Sequence, residues 1–220
     1  MEGTEEQKRL VRRLIGGGRG LAEAWGFRVT NNPGNLFQLL YLSVLLKPRG
    51  DYQRAMNTAL ALRDRGWDSP ARMAHALQAD RFRVIRDVSH RRDAQEVAAV
   101  LGDLALTIGN RYRGDLRRLR TEARQDPARL RALLTELPGV DDEVVDLFFR
   151  EAQAVWPEVG PFADRRALTA ARRLGLGRSL PDLAALIGRR EGERFAWLVG
   201  ALARVELEKR YGEFRQPARA

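Results

Sequence analysis

Apolar residues recur every three or four positions through most of this 220-residue chain, and this spacing constrains the fold more than any other feature. The clearest examples are Val97, Leu101, Leu104 and Ile108, and Phe195, Leu198, Leu202 and Val205. No convincing run of alternating apolar and polar residues, as a half-buried strand would have, separates them. The sequence therefore predicts an all-α protein.

Two helix starts are marked by a capping residue followed by proline, at Ser69-Pro70 and at Asp126-Pro127. A short polar side chain caps the first free N–H groups of a helix, and proline suits the first helical turn. Residues 141–156 carry apolar side chains on nearly every helical face, which predicts a helix that is buried on most sides and central to the fold.

The composition excludes several classes of chemistry. The chain has no cysteine, which removes disulfides, thiol catalysis and cysteine-bound zinc or iron–sulfur clusters. It has only two histidines, so we predict no metal and no cofactor. No apolar run approaches the ~20 residues that cross a bilayer. The first residues are acidic and lack the apolar core of a secretory signal, so we expect a cytoplasmic protein.

The charge indicates a polyanionic partner, and nucleic acid is the first candidate. The formal net charge is +10 and the isoelectric point is about 10.9. Nearly all the basic residues are arginines, and the only lysines are Lys8, Lys47 and Lys209. Arginine binds phosphate but stays protonated, so it cannot act as an amine nucleophile. The alternative is that the arginines reflect a high-GC genome and form an ordinary solvated surface.

Two motifs resemble the helix-hairpin-helix DNA glycosylases of the endonuclease III superfamily. They are Leu137-Pro138-Gly139-Val140 and, one helix length later, Asp164-Arg165-Arg166-Ala167-Leu168-Thr169-Ala170-Ala171-Arg172-Arg173-Leu174-Gly175-Leu176. The resemblance implies a two-lobed all-α fold in which residues 32–157 form a helical barrel lobe containing the hairpin. Residues 1–31 and 158–220 would form a second helical lobe that carries the aspartate. Double-stranded DNA would bind in the cleft between the lobes, which implies association with the nucleoid.

The resemblance assigns the catalytic role to Asp164. In this family the aspartate stabilises the positively charged sugar that forms as the N-glycosidic bond breaks, and it can help to activate a water. The alternative is that Asp164 only caps the helix that follows it. The two roles are compatible. We also expect Gly139, Arg165 and Arg166 to contact DNA.

The chain departs from the family at the hairpin. Glu143 occupies the position of the lysine that lyase members use as a nucleophile, and Asp141 occupies that of the second hairpin glycine. A carboxylate cannot form the imine that leads to strand cleavage, so the resemblance implies a monofunctional enzyme. The alternative role for Glu143 is that of an acid in the first helical turn. Asp141, Asp142 and Glu143 also oppose phosphate binding, so either arginines elsewhere bind the DNA or the hairpin has lost that role.

A basic loop follows the apolar segment 36–46, at the place where the family inserts a glutamine into the space left by a flipped base. Pro48 occupies the glutamine position, between Lys47 and Arg49. We consider Arg49 as a wedge that enters the DNA, and Lys47 as a DNA contact and as a candidate for a relocated nucleophile. The alternative is a positively charged surface turn.

These features predict a base-excision repair glycosylase that flips a damaged or mismatched base and hydrolyses its glycosidic bond. Two other functions stay open: a catalytically inactive DNA-binding relative that recognises distorted DNA or a repair partner, and a helical protein-interaction module with an incidental basic surface. The sequence also leaves the oligomeric state and the base open, with oxidised pyrimidine, alkylated purine, uracil and mismatched adenine as candidates.

Overall fold

Helices account for all the regular structure in the residues that are described. The structure is a computed structural model and describes residues 4–47, 51–187 and 192–214. Its α-helices are, in chain order, α1 (Glu5–Ile15), α2 (Pro33–Leu46), α3 (Tyr52–Asp64), α4 (Pro70–His75), α5 (Gln78–Ser89), α6 (Ala94–Tyr112), α7 (Leu116–Glu122), α8 (Pro127–Thr135), α9 (Asp142–Ala152), α10 (Arg165–Arg173), α11 (Leu180–Ile187) and α12 (Gly192–Glu208). Short 3₁₀ helices occupy Glu23–Trp25, Pro157–Val159 and Arg210–Glu213. The all-α prediction is confirmed.

Helix starts follow from local capping. Asn32 caps α2 by accepting hydrogen bonds from the backbone N–H groups of Gly34 and Asn35, and Pro33 occupies the first turn. The predicted start at Asp126 is also capped, because its carboxylate accepts the N–H of Arg129. The start at Ser69 is confirmed, but the Ser69 side chain makes no capping bond.

The chain divides into two units, one of which joins the two termini. This terminal unit comprises Met1–Gly26 and Phe149–Ala220. In its core α12 packs against α1, α10 and α11. Helix α10 contributes the small buried residues Ala167, Ala170 and Ala171, and small side chains allow two helices to approach closely.

The other unit, the middle unit, comprises Phe27–Phe148. Its most buried element is α2, in which every residue from Leu39 to Leu46 is buried. This helix packs against α3 and α7, while α6 packs against α4, α5 and α7. An apolar helix without a polar face requires such burial on all sides. The assignment of the two units to the predicted lobes, with boundaries at residues 32 and 157, stays a prediction.

Helix α9 belongs to both units, because it begins at Asp142 and ends at Ala152. Its apolar residues Val144, Val145, Leu147, Phe148 and Phe149 are all buried. None of the described helices is long and apolar enough to span a membrane.

Gly200 on α12 lies against the backbone of the loop that follows α1. A Cβ atom at this position would lie 2.6 Å from the backbone nitrogen of Leu21 and 2.9 Å from the Cα of Gly20. We expect Gly200→Ala to lower the free energy of unfolding by about 1–3 kcal/mol, because backbone atoms cannot yield as the end of a side chain can. Urea denaturation measures the change.

Gly109→Ala on α6 is the matched control, since no atom lies within 4 Å of a Cβ built there. Alanine favours a helix over glycine, so this variant should be unchanged or slightly more stable. Equal stability of the two variants would contradict the close approach at Gly200.

Candidate active site and hairpin

The hairpin connects α8 to α9 through residues 136–141. Gly139 has a φ of +74°, a value that favours glycine. A Cβ at Gly139 would also lie 2.3 Å from Cγ1 of Val100 on α6. Both the backbone angle and the packing therefore require glycine here. The predicted contact of Gly139 with DNA stays a prediction.

The carboxylate of Asp141 occupies the N-terminus of α9. Its Oδ1 accepts the backbone N–H of Val144 at 3.1 Å, and its Oδ2 pairs with Nζ of Lys47 at 2.5 Å. Partial burial acts to raise the pKa of Asp141, but the Lys47 and backbone hydrogen bonds outweigh it, and the pKa is lowered. A carboxylate of the chain thus lies at a helix N-terminus, where backbone N–H groups can bind an anion.

The two other hairpin acids lie on the first turn of α9, and both are exposed. Asp142 pairs with Arg131 at 3.0 Å, and the same arginine pairs with Asp146 at 2.6 Å. Glu143 presents a carboxylate, which cannot act as an amine nucleophile, and its match to the lysine position of the family stays a prediction.

The structure brings Lys47 together with the hairpin inside the middle unit. Lys47 follows α2, and its ammonium group is the partner of Asp141. Lys47 would have to leave this ion pair before its nitrogen could attack a sugar. Its predicted roles as a DNA contact and as a relocated nucleophile stay predictions. Arg49, the predicted wedge, and Pro48 lie outside the described residues.

Asp164 is the N-cap of α10 in the terminal unit. Its Oδ1 accepts the backbone N–H of Ala167 at 2.8 Å, and its backbone is extended, as an N-cap requires. The residue is only 4% exposed. The capping role is thus present, while the catalytic role stays a prediction.

A buried arginine, Arg150 near the end of α9, pairs with Asp164. Its Nη1 donates to Oδ2 of Asp164 at 2.7 Å, and its Nε donates to Oε1 of Glu151 at 2.7 Å. The second oxygen of Glu151 accepts the backbone N–H of Ala22 at 3.1 Å. Burial acts to lower the pKa of Arg150, but the attraction of the two carboxylates outweighs it, and the pKa is raised. One cation and two acids therefore form a buried cluster, Arg150–Glu151–Asp164.

The segment before Asp164 is attached to the end of α9 by Gln153. The side chain of Gln153 accepts the N–H of Phe162 and donates to the carbonyl oxygen of Phe162, both at 2.8 Å. The ring of Phe162 also meets the ring of Phe149 edge to face, with 5.9 Å between centroids. These contacts fix the approach of the chain to the N-cap.

Arg165 and Arg166, the predicted DNA contacts on α10, follow the N-cap directly. Arg165 is exposed and Arg166 is half-buried. Further along this helix Arg173 pairs with Glu206 at 3.2 Å and lies over the ring of Tyr211. Among the residues described, no group of three or more His, Cys, Asp or Glu side chains is placed to hold a metal ion.

Sequence reasoning missed Arg150, Glu151 and Gln153. The available signal was that these polar residues interrupt a segment with apolar side chains on nearly every face. In a helix buried on most sides such residues must find partners within the protein.

The architecture resembles that of solved structures. No family model and no curated protein matches the chain. The solved structures that resemble it include a trapped endonuclease III–DNA covalent intermediate with an estranged adenine (15% identity, TM-score 0.50) and a non-covalent endonuclease III–DNA complex (16% identity, TM-score 0.51). Each similarity covers 90% of this chain and 85% of the other.

These similarities define the class of fold. The chain has the helix-hairpin-helix glycosylase fold of endonuclease III, as the two motifs predicted. It combines this fold with a hairpin whose helix N-terminus is occupied by Asp141 and with a buried aspartate paired to Arg150.

Proposed function

We propose that this protein is a monofunctional DNA glycosylase, which flips a damaged or mismatched base and hydrolyses its N-glycosidic bond with the help of Asp164. The observation that carries this proposal is a buried aspartate at the N-cap of α10 in a chain with the fold of endonuclease III. A fixed carboxylate in a site of low dielectric stabilises positive charge that develops on a sugar. Such a group can also orient an attacking water.

Two residues at and beside the hairpin support hydrolysis rather than strand cleavage. Glu143 cannot form an imine with the sugar, and Lys47, the lysine beside the hairpin, is ion-paired with Asp141. The product would then be an abasic site in an intact strand.

The experiment that tests this function is a panel of duplexes, each with one lesion, one mismatch or one abasic site. Each reaction is analysed with and without hot alkali, alongside Asp164→Asn protein prepared in the same way to reveal contaminating activities. We expect strand breaks only after alkali, and with one class of base. Breaks without alkali that disappear in Lys47→Met would contradict the monofunctional mechanism and assign the nucleophile to Lys47.

A second candidate function is favoured by the same contacts. Asp164 is paired with a guanidinium, and the hairpin N-terminus is occupied by an acid of the chain. Both features suit a relative that binds distorted DNA without excising a base. Salt-sensitive binding of lesion duplexes with no product after long incubation would support this candidate and exclude the first.

The hairpin gives a separate prediction about DNA affinity. Asp141→Ala should tighten duplex binding about three- to tenfold at low salt, because it frees the Lys47 ammonium and the N–H of Val144 for phosphate. One added phosphate contact should also steepen the dependence of log K on log salt by about 0.9. Fluorescence anisotropy over a salt series measures both.

Asp142→Ala is the matched control for this prediction. It removes the same charge one residue away, but Arg131 keeps its bond to Asp146, so no cation is released. We expect little change in the salt slope. If both variants changed affinity and slope equally, the effect would be general charge and the hairpin would have no phosphate site.

A further inference from the structure

The ion pair between Arg150 and Asp164 presents an electrostatic problem. A carboxylate matched one to one with a guanidinium is neutral as a pair, and a neutral pair stabilises a cation weakly. If Arg150 cancelled the charge of Asp164, the proposed role of that aspartate would be largely lost. The position of Glu151 resolves this problem.

We propose that Glu151 balances the charge of Arg150, so that the buried cluster keeps one net negative charge for the cationic sugar at Asp164; this inference rests on the proposed function. With the three groups ionised, one positive and two negative charges leave a net charge of −1. Glu151 would thus be a positioning residue that acts through Arg150, without contact with the substrate.

The geometry allows Arg150 to serve both acids at once. Glu151 accepts from Nε and Asp164 accepts from Nη1, each at 2.7 Å, so neither bond displaces the other. Backbone N–H groups of Ala22 and Ala167 bind the remaining oxygens. All four carboxylate oxygens therefore accept hydrogen bonds from N–H donors, as two ionised carboxylates do.

Because the cluster is buried, its net charge acts strongly on groups nearby. The side chains of Arg150, Glu151 and Asp164 are 1%, 6% and 4% exposed. Water and salt screen charges poorly at such depth, so the loss of one charge is felt strongly by its neighbours.

The first test is Glu151→Gln, measured as a single-turnover excision rate at saturating protein on the lesion duplex that gives most product in the panel. The amide has nearly the same shape but leaves the cluster neutral. We expect the rate to fall about 10- to 100-fold, with an unchanged Kd for DNA.

Glu206→Gln is the matched control in the same unit. Glu206 is a carboxylate 16% exposed that also binds an arginine, Arg173, but it belongs to a separate ion cluster. It reports the effect of losing a partly exposed ion pair on folding, and its excision rate should equal that of the wild type.

The second test is the double variant Arg150→Met/Glu151→Gln. It removes one positive and one negative charge and so restores a net charge of −1 on Asp164. We expect it to excise faster than Glu151→Gln alone, whereas a merely structural role predicts an additional loss. A buried ion pair can often be replaced by groups of similar volume without loss of folding.

A wild-type protein that excises no base would contradict both the proposed glycosylase function and the role of Glu151. A wild type that excises, together with Glu151→Gln at the wild-type rate or a double variant slower than the single one, overturns the role of Glu151 alone. Slow excision by Glu151→Gln, normal excision by Glu206→Gln and recovery in the double variant support it.

Discussion

Arg150→Met is expected to lower the free energy of unfolding by about 3–5 kcal/mol, because it leaves two buried carboxylates without their cation. Arg150 is 1% exposed and binds Glu151 and Asp164 from two different nitrogen atoms. Methionine fills much of the volume, so the loss should come from charge rather than from a cavity. Chemical denaturation followed by circular dichroism measures the change.

Arg210→Met is the control for this loss. Arg210 also pairs with two acids, Glu208 and Glu213, but its side chain is 42% exposed. Ion pairs at such exposure contribute about 0–1 kcal/mol, so Arg210→Met should lose no more than that.

Adding Glu151→Gln to Arg150→Met should recover part of the stability, since only one buried carboxylate then remains. A loss below about 1 kcal/mol in Arg150→Met would mean that the cluster is not a buried ion network.

Asp164→Asn is expected to reduce base excision about 10³-fold while DNA binding is retained. The asparagine oxygen can still accept the N–H of Ala167, so the cap of α10 survives. The loss is electrostatic, because Arg150 and Glu151 then neutralise each other and nothing remains to stabilise the cationic sugar. Single-turnover rates on the lesion duplex, with affinity measured separately, give the result.

Asp126→Asn provides the comparison for a cap alone. Asp126 caps α8 through the same kind of bond, from the N–H of Arg129 at 2.8 Å, and the cap bond is the contact the structure shows for its side chain. Its excision rate should match the wild type. Excision by Asp164→Asn within about threefold of the wild type would exclude Asp164 as the charge-stabilising group.

The fold could be predicted from the sequence because its signals are local. Helical spacing gave the all-α class, and the Leu137–Val140 motif with the Asp164 segment gave the type of fold. Asp126 before Pro127 identified a helix start directly. In each case the signal lies within one continuous segment of the chain.

The buried cluster could not be predicted, since it joins residues on different elements of the chain. Spacing placed Asp164 at a helix start but could not show that Arg150, fourteen residues earlier, would reach it. Likewise, Lys47 and Asp141 are 94 positions apart, and only the tertiary fold brings them to 2.5 Å. Both pairs depend on packing between helices, which no single helical pattern encodes.

Arg150, Glu151 and Asp164 also restrict how this protein can diverge. Losing the arginine alone leaves two buried charges of one sign, and losing Asp164 alone removes both a cap and an ion pair. Single steps away from the set should therefore cost the fold more than joint replacement by apolar groups of similar volume. Among descendants of this sequence the three residues should be inherited or exchanged together, and this co-variation would identify other members of the same lineage even where overall identity is low.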